Sequence, residues 1–441
     1  TLIFSYNNLT KPPNNDTSDE EQSITVKDRL YGNNEKYSSF YCTGSMNRPE
    51  KLDQRVCLFR NICYDKHIKE FNYYKPITSN KHPILFHPRD GLIYNFFYKQ
   101  FKFVRIGTAY REALKEQNYF SPIIINGSLP ISDKNTIYLS TLHVLWKWFN
   151  LPNFNLGHTL WEDIASTYIS MMRLNVYSRK AVLLSLYPLP NNKSSEYSRI
   201  FSQVLPSFIN KYLSLNDYKN RYVCFKQLLA GGNVKIFDYE ESIQGRESLF
   251  YNFRTMILKY HGIDLKHPPT KHRILLVNKT HSGWDKRVRT RRTIFNLAEV
   301  KLYLEKTYPN IPVDVIVPQQ LPFSQQLKEL YKTTILITPC GGISAFIPFL
   351  PRRAYAIIMD YYASYNFINH KKGDSASMEG VVWNHFPHIT KLYYQIYNSS
   401  DWVWDLPKTN NTRIHASIVI KMPRLKKLIE TALENSIFAT M

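Results

Sequence analysis

The 441 residues contain no stretch of 18 or more apolar residues, the length a membrane-spanning helix requires. Acidic residues are scarce: 35 Asp and Glu stand against 57 Lys and Arg, so a cationic partner for the chain as a whole is disfavoured. Neither G-x-G-x-x-G nor G-x-x-x-x-G-K-[ST] occurs, which removes support for a dinucleotide oxidoreductase or a P-loop NTPase. No D-x-D triplet occurs, so the acidic pair that commonly holds a metal on a sugar-nucleotide diphosphate is missing. There is no internal repeat and no heptad run. Cysteines number five, Cys42, Cys57, Cys63, Cys224 and Cys340. In a reducing compartment these are free thiols, and in an oxidising one up to two disulfides form with one thiol left over.

What is present points toward anions. The net charge of +22 favours nucleic acid, an anionic glycan, a membrane surface or a phosphorylated small molecule. The length predicts two domains. Seven N-x-[ST] sequons, at Asn8, Asn15, Asn126, Asn192, Asn278, Asn398 and Asn410, permit glycosylation without demonstrating it.

Polar residues 1–35, with "KPPNN" and "DTSDEE", read as a flexible stem. Residues 36–265 mix short apolar runs such as "HPILFH", "SPIIINGS" and "VLLSLYPLP" with a helical pattern from Leu160 to Leu174. Pro268 and Pro269 mark a boundary. Across 266–441 the alternation is regular: "RILLVNK", "VDVIVP", "ILIT" and "YAIIMD" as strands, "RTIFNLAEVKLYLEKTYP" and "SQQLKELYKTT" as helices, the latter with Ser324 as N-cap, and "ISAFIPFLP" as a short helix. Strands alternating with helices predict an α/β fold with a parallel sheet in this Rossmann-like half. "MPRLKKLIETALENSIF" closes the chain as one amphipathic helix.

Three clusters carry candidate chemistry. In "ILITPCGGISAFIPFLP", Cys340, Gly341, Gly342 and Ser344 follow a strand at the sheet edge where open parallel sheets bind ligands. The glycines let backbone approach an anion at a helix start, although a plain strand-to-helix turn also needs glycines. "DKRVRTRRTIFN" sets Arg287, Arg289 and Arg292 among further basic residues at the same edge, suited to phosphate or to a solvated basic patch. "NLGHTLWEDIASTY" places His158, Glu162 and Asp163 at a helix start, a usable general base for a hydroxyl or a helix cap. "CLFRNICYDKH" offers a Cys-x5-Cys-x3-His spacing that fits zinc poorly.

Four of these stretches, in order, resemble glycosyltransferase family 61: "CLFRNICYD", "NLGHTLWEDI", "RRTIFNLAEV" and "FSQQLKELYKTTILITPCGGISAFIPFLPRRA". The resemblance covers roughly residues 55–395. It implies a GT-B fold, with two Rossmann-like domains facing a cleft, an acceptor-side domain over 36–265 and a nucleotide-sugar domain over 266–441. It implies an inverting transfer of xylose, arabinose or N-acetylglucosamine from a UDP-sugar to a glycan or glycoprotein, without a cofactor or essential metal. Nucleic acid is not an expected partner. The expected location is the Golgi or endoplasmic reticulum lumen, as a type II membrane protein whose anchor lies outside this sequence. The resemblance places Arg292, Asn296 and Glu299 on family positions, and Cys340 where relatives commonly have His. Asp163, Glu162 or His158 would be the base. Arg287, Arg289, Arg292, Asn296, Glu299, Cys340, Gly341, Gly342 and Ser344 would bind the donor. A non-catalytic basic protein binding anionic glycan or nucleic acid, or an inactive family member, is the alternative.

Overall fold

The computed structural model describes residues 36–43, 56–77, 122–146, 160–161, 164–185, 203–209, 211–231, 247–279, 292–360, 386–405 and 416–436, with 26–27, 84–86, 93–95, 104–105, 119–120, 157 and 438 besides. Two large sheets lie on either side of Pro268–Pro269 in the chain.

The first sheet has nine strands drawn from residues 26–231. Four neighbours are mutually parallel, Tyr222–Gly231, Thr136–Trp146, Val182–Ser185 and Lys211–Ser214, and Glu70–Lys75 pairs parallel with Ile123–Asn126. Antiparallel strands extend it, because Val56–Asp65 turns back through the four residues 66–69 into Glu70–Lys75. So short a connection requires an antiparallel pair. This half is therefore mixed rather than a purely parallel sheet. Val26–Lys27, within the segment read as a stem, pairs with Tyr41 and Cys42 at the sheet margin.

Both possible disulfides form. Cys42–Cys57 and Cys63–Cys224 each join directly opposed residues of neighbouring antiparallel strands, leaving Cys340 as the free, buried thiol. Cys57 and Cys63 are consumed by these bonds, so the Cys-x5-Cys-x3-His spacing is not a zinc site.

The second sheet is wholly parallel. Its five strands are Ile274–Val277, Val313–Ile316, Ile335–Pro339, Tyr355–Asp360 and Thr390–Gln395. Numbered in chain order they lie 2-1-3-4-5 across the sheet. The order reverses between the first strand and the third, which pair directly through Ile274–Ile335 and Leu276–Ile337. In open α/β sheets the crevice beyond the strand C-termini at such a reversal is where ligands bind. Near the opposite end, Arg273 ties the first strand to its surroundings through Asp314 at 2.8 Å and Glu329 at 2.7 Å.

Two helices differ from the sequence pattern. The helix expected from Arg292 begins at Leu297 and runs to Thr307. Before it, Ile294 bridges Ile418 and Phe295 N–H donates to Ile418 O, so the chain at Ile294 is held in a β-bridge and turns into the helix only after it. The helix Phe323–Tyr331 starts two residues early, with Pro322 rather than Ser324 at the cap position. Phe323 is buried, and its N–H is satisfied by Gln203 Oε1 at 2.9 Å, which moves the start. "ISAFIPFLP" forms a 3-10 helix, Gly342–Phe349. The helix Met422–Glu434 buries Leu425, Ile429 and Ala432.

One apolar core joins residues of both sheets. Leu142 and Leu183 share it with the helix Ala165–Arg173, the helix Glu247–Tyr260, and Ile337 and Ile357 of the second sheet. Among the described residues no helix is long and apolar enough to cross a membrane.

The chain closed by Cys63–Cys224 is far longer than that closed by Cys42–Cys57, 161 residues against 15. Loop-closure entropy then favours the former by about 2 kcal/mol. Chemical denaturation of Cys63→Ser/Cys224→Ser is expected to show the larger stability loss of the two double variants.

Candidate active site

The sheet reversal presents two chain segments at one edge. After Val277 come Asn278, whose N–H donates to Ile316 O at 2.8 Å, and Lys279, which is 8% exposed. After Pro339 come Cys340, Gly341 and the 3-10 helix. Arg292 returns to this edge and meets Gly341.

The contact between Arg292 and Gly341 is the centre of the site. A methyl group added to Gly341 would lie 3.0 Å from Arg292 Nη1, 3.2 Å from Cζ and 3.3 Å from Nη2. The three distances are nearly equal, so the guanidinium lies across the glycine with no room for a side chain between them. Gly341 has φ 101° and ψ −159°, a region open essentially to glycine alone. The turn is closed by Ser344, whose N–H and Oγ–H both donate to Gly341 O, at 2.9 and 2.6 Å.

Arg292 itself has φ 53°, uncommon for a residue with a Cβ. The surroundings hold it there. Its N–H donates to Asp405 Oδ2 at 2.8 Å, and Ser417 Oγ–H donates to Asp405 Oδ1 at 2.5 Å. Ser417 in turn bonds Thr293, through the Thr293 N–H at 3.1 Å and the hydroxyl at 3.0 Å. Asp405 thus accepts from the Arg292 backbone rather than from its guanidinium. Among the described residues no carboxylate pairs with that guanidinium, and Arg292 Nε is buried without a hydrogen-bond partner. A cation so placed beside glycine backbone is suited to phosphate oxygens.

The other predicted donor residues divide. Asn296 is committed to the fold: its Nδ2 donates to Ile420 O at 3.0 Å and its Oδ1 accepts from Ile420 N–H at 2.9 Å. Glu299 is exposed and receives Asn296 Nδ2 at 3.5 Å, the limit of a hydrogen bond. The Arg292 backbone is held by Asp405. Cys340 is 1% exposed and part of the core, so its thiol is withdrawn from the edge and any contact there falls to neighbouring backbone. Arg287 and Arg289 lie outside the described residues, as do His158, Glu162 and Asp163.

Their neighbours in the motif are described. Trp161 is 1% exposed, and its Nε1–H donates to Ala345 O at 2.9 Å, within the 3-10 helix that follows the glycines. At the far end of that helix the buried Arg254 donates through Nε to Pro348 O and through Nη2 to Leu350 O. Burial lowers the Arg254 pKa to about 10, so it remains a cation at neutral pH. His388 Nε2 shares Pro348 O at 3.2 Å. Burial, followed by the charge of Arg254, lowers His388 to about 3 and keeps it neutral.

Asp405, Ser417, Lys279, Trp161 and Arg254 were not singled out by sequence reasoning. Trp161 alone had a signal, its place inside "NLGHTLWEDI".

A family model described as glycosyltransferase 61 matches residues 138–357, about half of the chain. Three of the four motif stretches fall inside that match, and "CLFRNICYD" falls before it. Comparison with curated proteins finds no match.

Two outcomes are expected. Gly262 also has a positive φ, 71°, but a methyl group there meets nothing within 4 Å. Both Gly→Ala variants incur backbone strain of about 1–3 kcal/mol, and Gly341→Ala, which must also displace Arg292, is expected to lose more stability in urea. His388 has a folded pKa below its unfolded value of 6.5, so its contribution is present above pH 6.5 and is lost as pH falls toward about 3. Each pH unit in that window removes up to about 1.4 kcal/mol. His388→Gln is expected to flatten the stability profile between pH 6.5 and 4.

Proposed function

The chain belongs to glycosyltransferase family 61, and from that premise we propose that it is an inverting transferase moving a sugar from a UDP-sugar to a hydroxyl of a glycan or glycoprotein. Family membership makes glycosyl transfer the general activity. The observation that carries the finer reading is the Arg292 guanidinium laid on Gly341 at the reversal of the parallel sheet.

In this reading the donor diphosphate lies between Arg292 and the backbone that follows Gly341. Arg287 and Arg289 complete the cationic lining, and Lys279 stands at the same edge. The sugar projects toward the acceptor side. An acceptor hydroxyl attacks the anomeric carbon from the face opposite the diphosphate. The new glycosidic bond forms as the bond to the diphosphate oxygen breaks, and UDP leaves with the electron pair. The hydroxyl proton passes to one of Asp163, Glu162 and His158. As charge develops on the leaving oxygens, Arg292 and the nearby amides are already oriented to receive it, the arrangement by which preorganised donors lower a barrier. Stabilisation comes from side chains and amides, with no metal as an essential participant.

The two-sheet architecture supports a GT-B arrangement, with residues 36–265 on the acceptor side and 266–441 on the donor side. The two disulfides support an oxidising compartment, in keeping with the lumen of the Golgi or endoplasmic reticulum and a type II membrane protein anchored outside this sequence.

A screen across UDP-sugars, with mass detection of transfer or hydrolysis, tests the proposal. The wild type is expected to turn over at least one of UDP-xylose, UDP-arabinose and UDP-N-acetylglucosamine. Arg292→Ala is expected to lose about 2–4 kcal/mol of transition-state stabilisation, on the order of 10²-fold or more in kcat/KM. Wild-type turnover by Arg292→Ala would overturn the donor-site assignment. Steeply salt-dependent oligonucleotide binding without UDP affinity would overturn the transferase reading.

A further inference from the structure

The 3-10 helix Gly342–Phe349 continues directly from the Gly341 turn. Its carbonyls are held from outside by two buried side chains that precede Pro268 in the chain. Trp161 Nε1–H bonds Ala345 O at 2.9 Å. Arg254 bonds Pro348 O and, just past the helix, Leu350 O. Trp161 and Arg254 are 1% and 2% exposed. Trp161 is fixed among the rings of Phe253, Phe349 and Phe386, with centroids 5.7, 5.7 and 5.1 Å away. Arg254 lies against Tyr251 and Tyr331, at 5.2 and 5.9 Å.

Arg254 is a cation bonded to neutral carbonyls, and neither of its recorded hydrogen bonds is to a carboxylate. Purely apolar packing of similar volume would avoid desolvating a guanidinium. The arrangement is understandable when the position of this backbone matters more than the stability it yields. Trp161 makes the second link, and it is the residue immediately before Glu162 and Asp163.

We propose that Trp161 and Arg254 are positioning residues that clamp the 3-10 helix behind the Gly341 turn and so set the donor loop in register with the segment that carries the base. The inference rests on the glycosyl-transfer reading for its kinetic consequence and on geometry alone for the clamp. Its signature is a split between binding and turnover. The Arg292–Gly341 contact is held locally by Asp405 and Ser344, so that contact does not depend on the clamp. The alignment of base, acceptor and anomeric carbon does.

Trp161→Phe removes the N–H and keeps a ring. Phe253→Leu loosens the same aromatic cluster and keeps the N–H. Each variant is measured for stability, UDP affinity by calorimetry, kcat with the donor found for the wild type, and hydrogen exchange across residues 340–350. Trp161→Phe is expected to lose on the order of 10–100-fold in kcat, as a misplacement near 1 Å can cause, with a smaller loss of UDP affinity than of kcat and faster exchange over 340–350. Phe253→Leu, at a similar stability loss, is expected to keep kcat and the wild-type exchange of that segment. Arg254→Lys, which retains donors for these carbonyls, is expected to keep more kcat than Arg254→Met. Unchanged exchange in Trp161→Phe, or equal kcat losses in Trp161→Phe and Phe253→Leu, would overturn the clamp. A wild type without UDP affinity or turnover would overturn the transferase reading instead, and the exchange comparison would still decide the clamp.

Discussion

The site depends on one close approach, a guanidinium lying on a glycine. Gly341 must lack a side chain for two separate reasons: its backbone conformation and the presence of Arg292 against its α-carbon. Arg292 must in turn adopt a positive φ to reach that place, and its N–H is held by Asp405, itself held by Ser417. Strained backbone at two facing residues persists only when surrounding bonds over-determine it. Here those bonds come from a short ladder of residues 293–295, 402–404 and 416–418 on one side and from Ser344 on the other.

The sheet supplies the location. Its 2-1-3-4-5 order puts the C-termini of the first and third strands side by side. A crevice at such a reversal is a property of topology, and Lys279 and Arg292 bring positive charge to this edge. The overall charge of +22 attracts anions to the surface generally.

Much of the second sheet was legible in the sequence, because a short β-branched run ending in turn residues has few alternatives. "RILLVNK", "VDVIVP", "ILIT" and "YAIIMD" all became strands. The value of Gly341 and Arg292 was legible as chemistry, while their contact was not. It joins residues 49 apart in sequence and is supported by Asp405 and Ser417, which belong to none of the candidate clusters. The roles of Asn296 and Glu299 could not be read from spacing either. Asn296 finds Ile420, a partner 124 residues away, and its amide is taken up there. The first sheet was less legible because its antiparallel strands depend on pairings between Cys42, Cys57, Cys63 and Cys224, and cysteine spacing does not determine connectivity.

A crystal structure of the protein with UDP tests the central claim most directly. The account predicts the diphosphate within hydrogen-bond distance of the Arg292 guanidinium and of the backbone N–H groups that follow Gly341, at the reversal between Ile274–Val277 and Ile335–Pro339. UDP bound elsewhere on the chain, with Arg292 free of contact to phosphate, would contradict it.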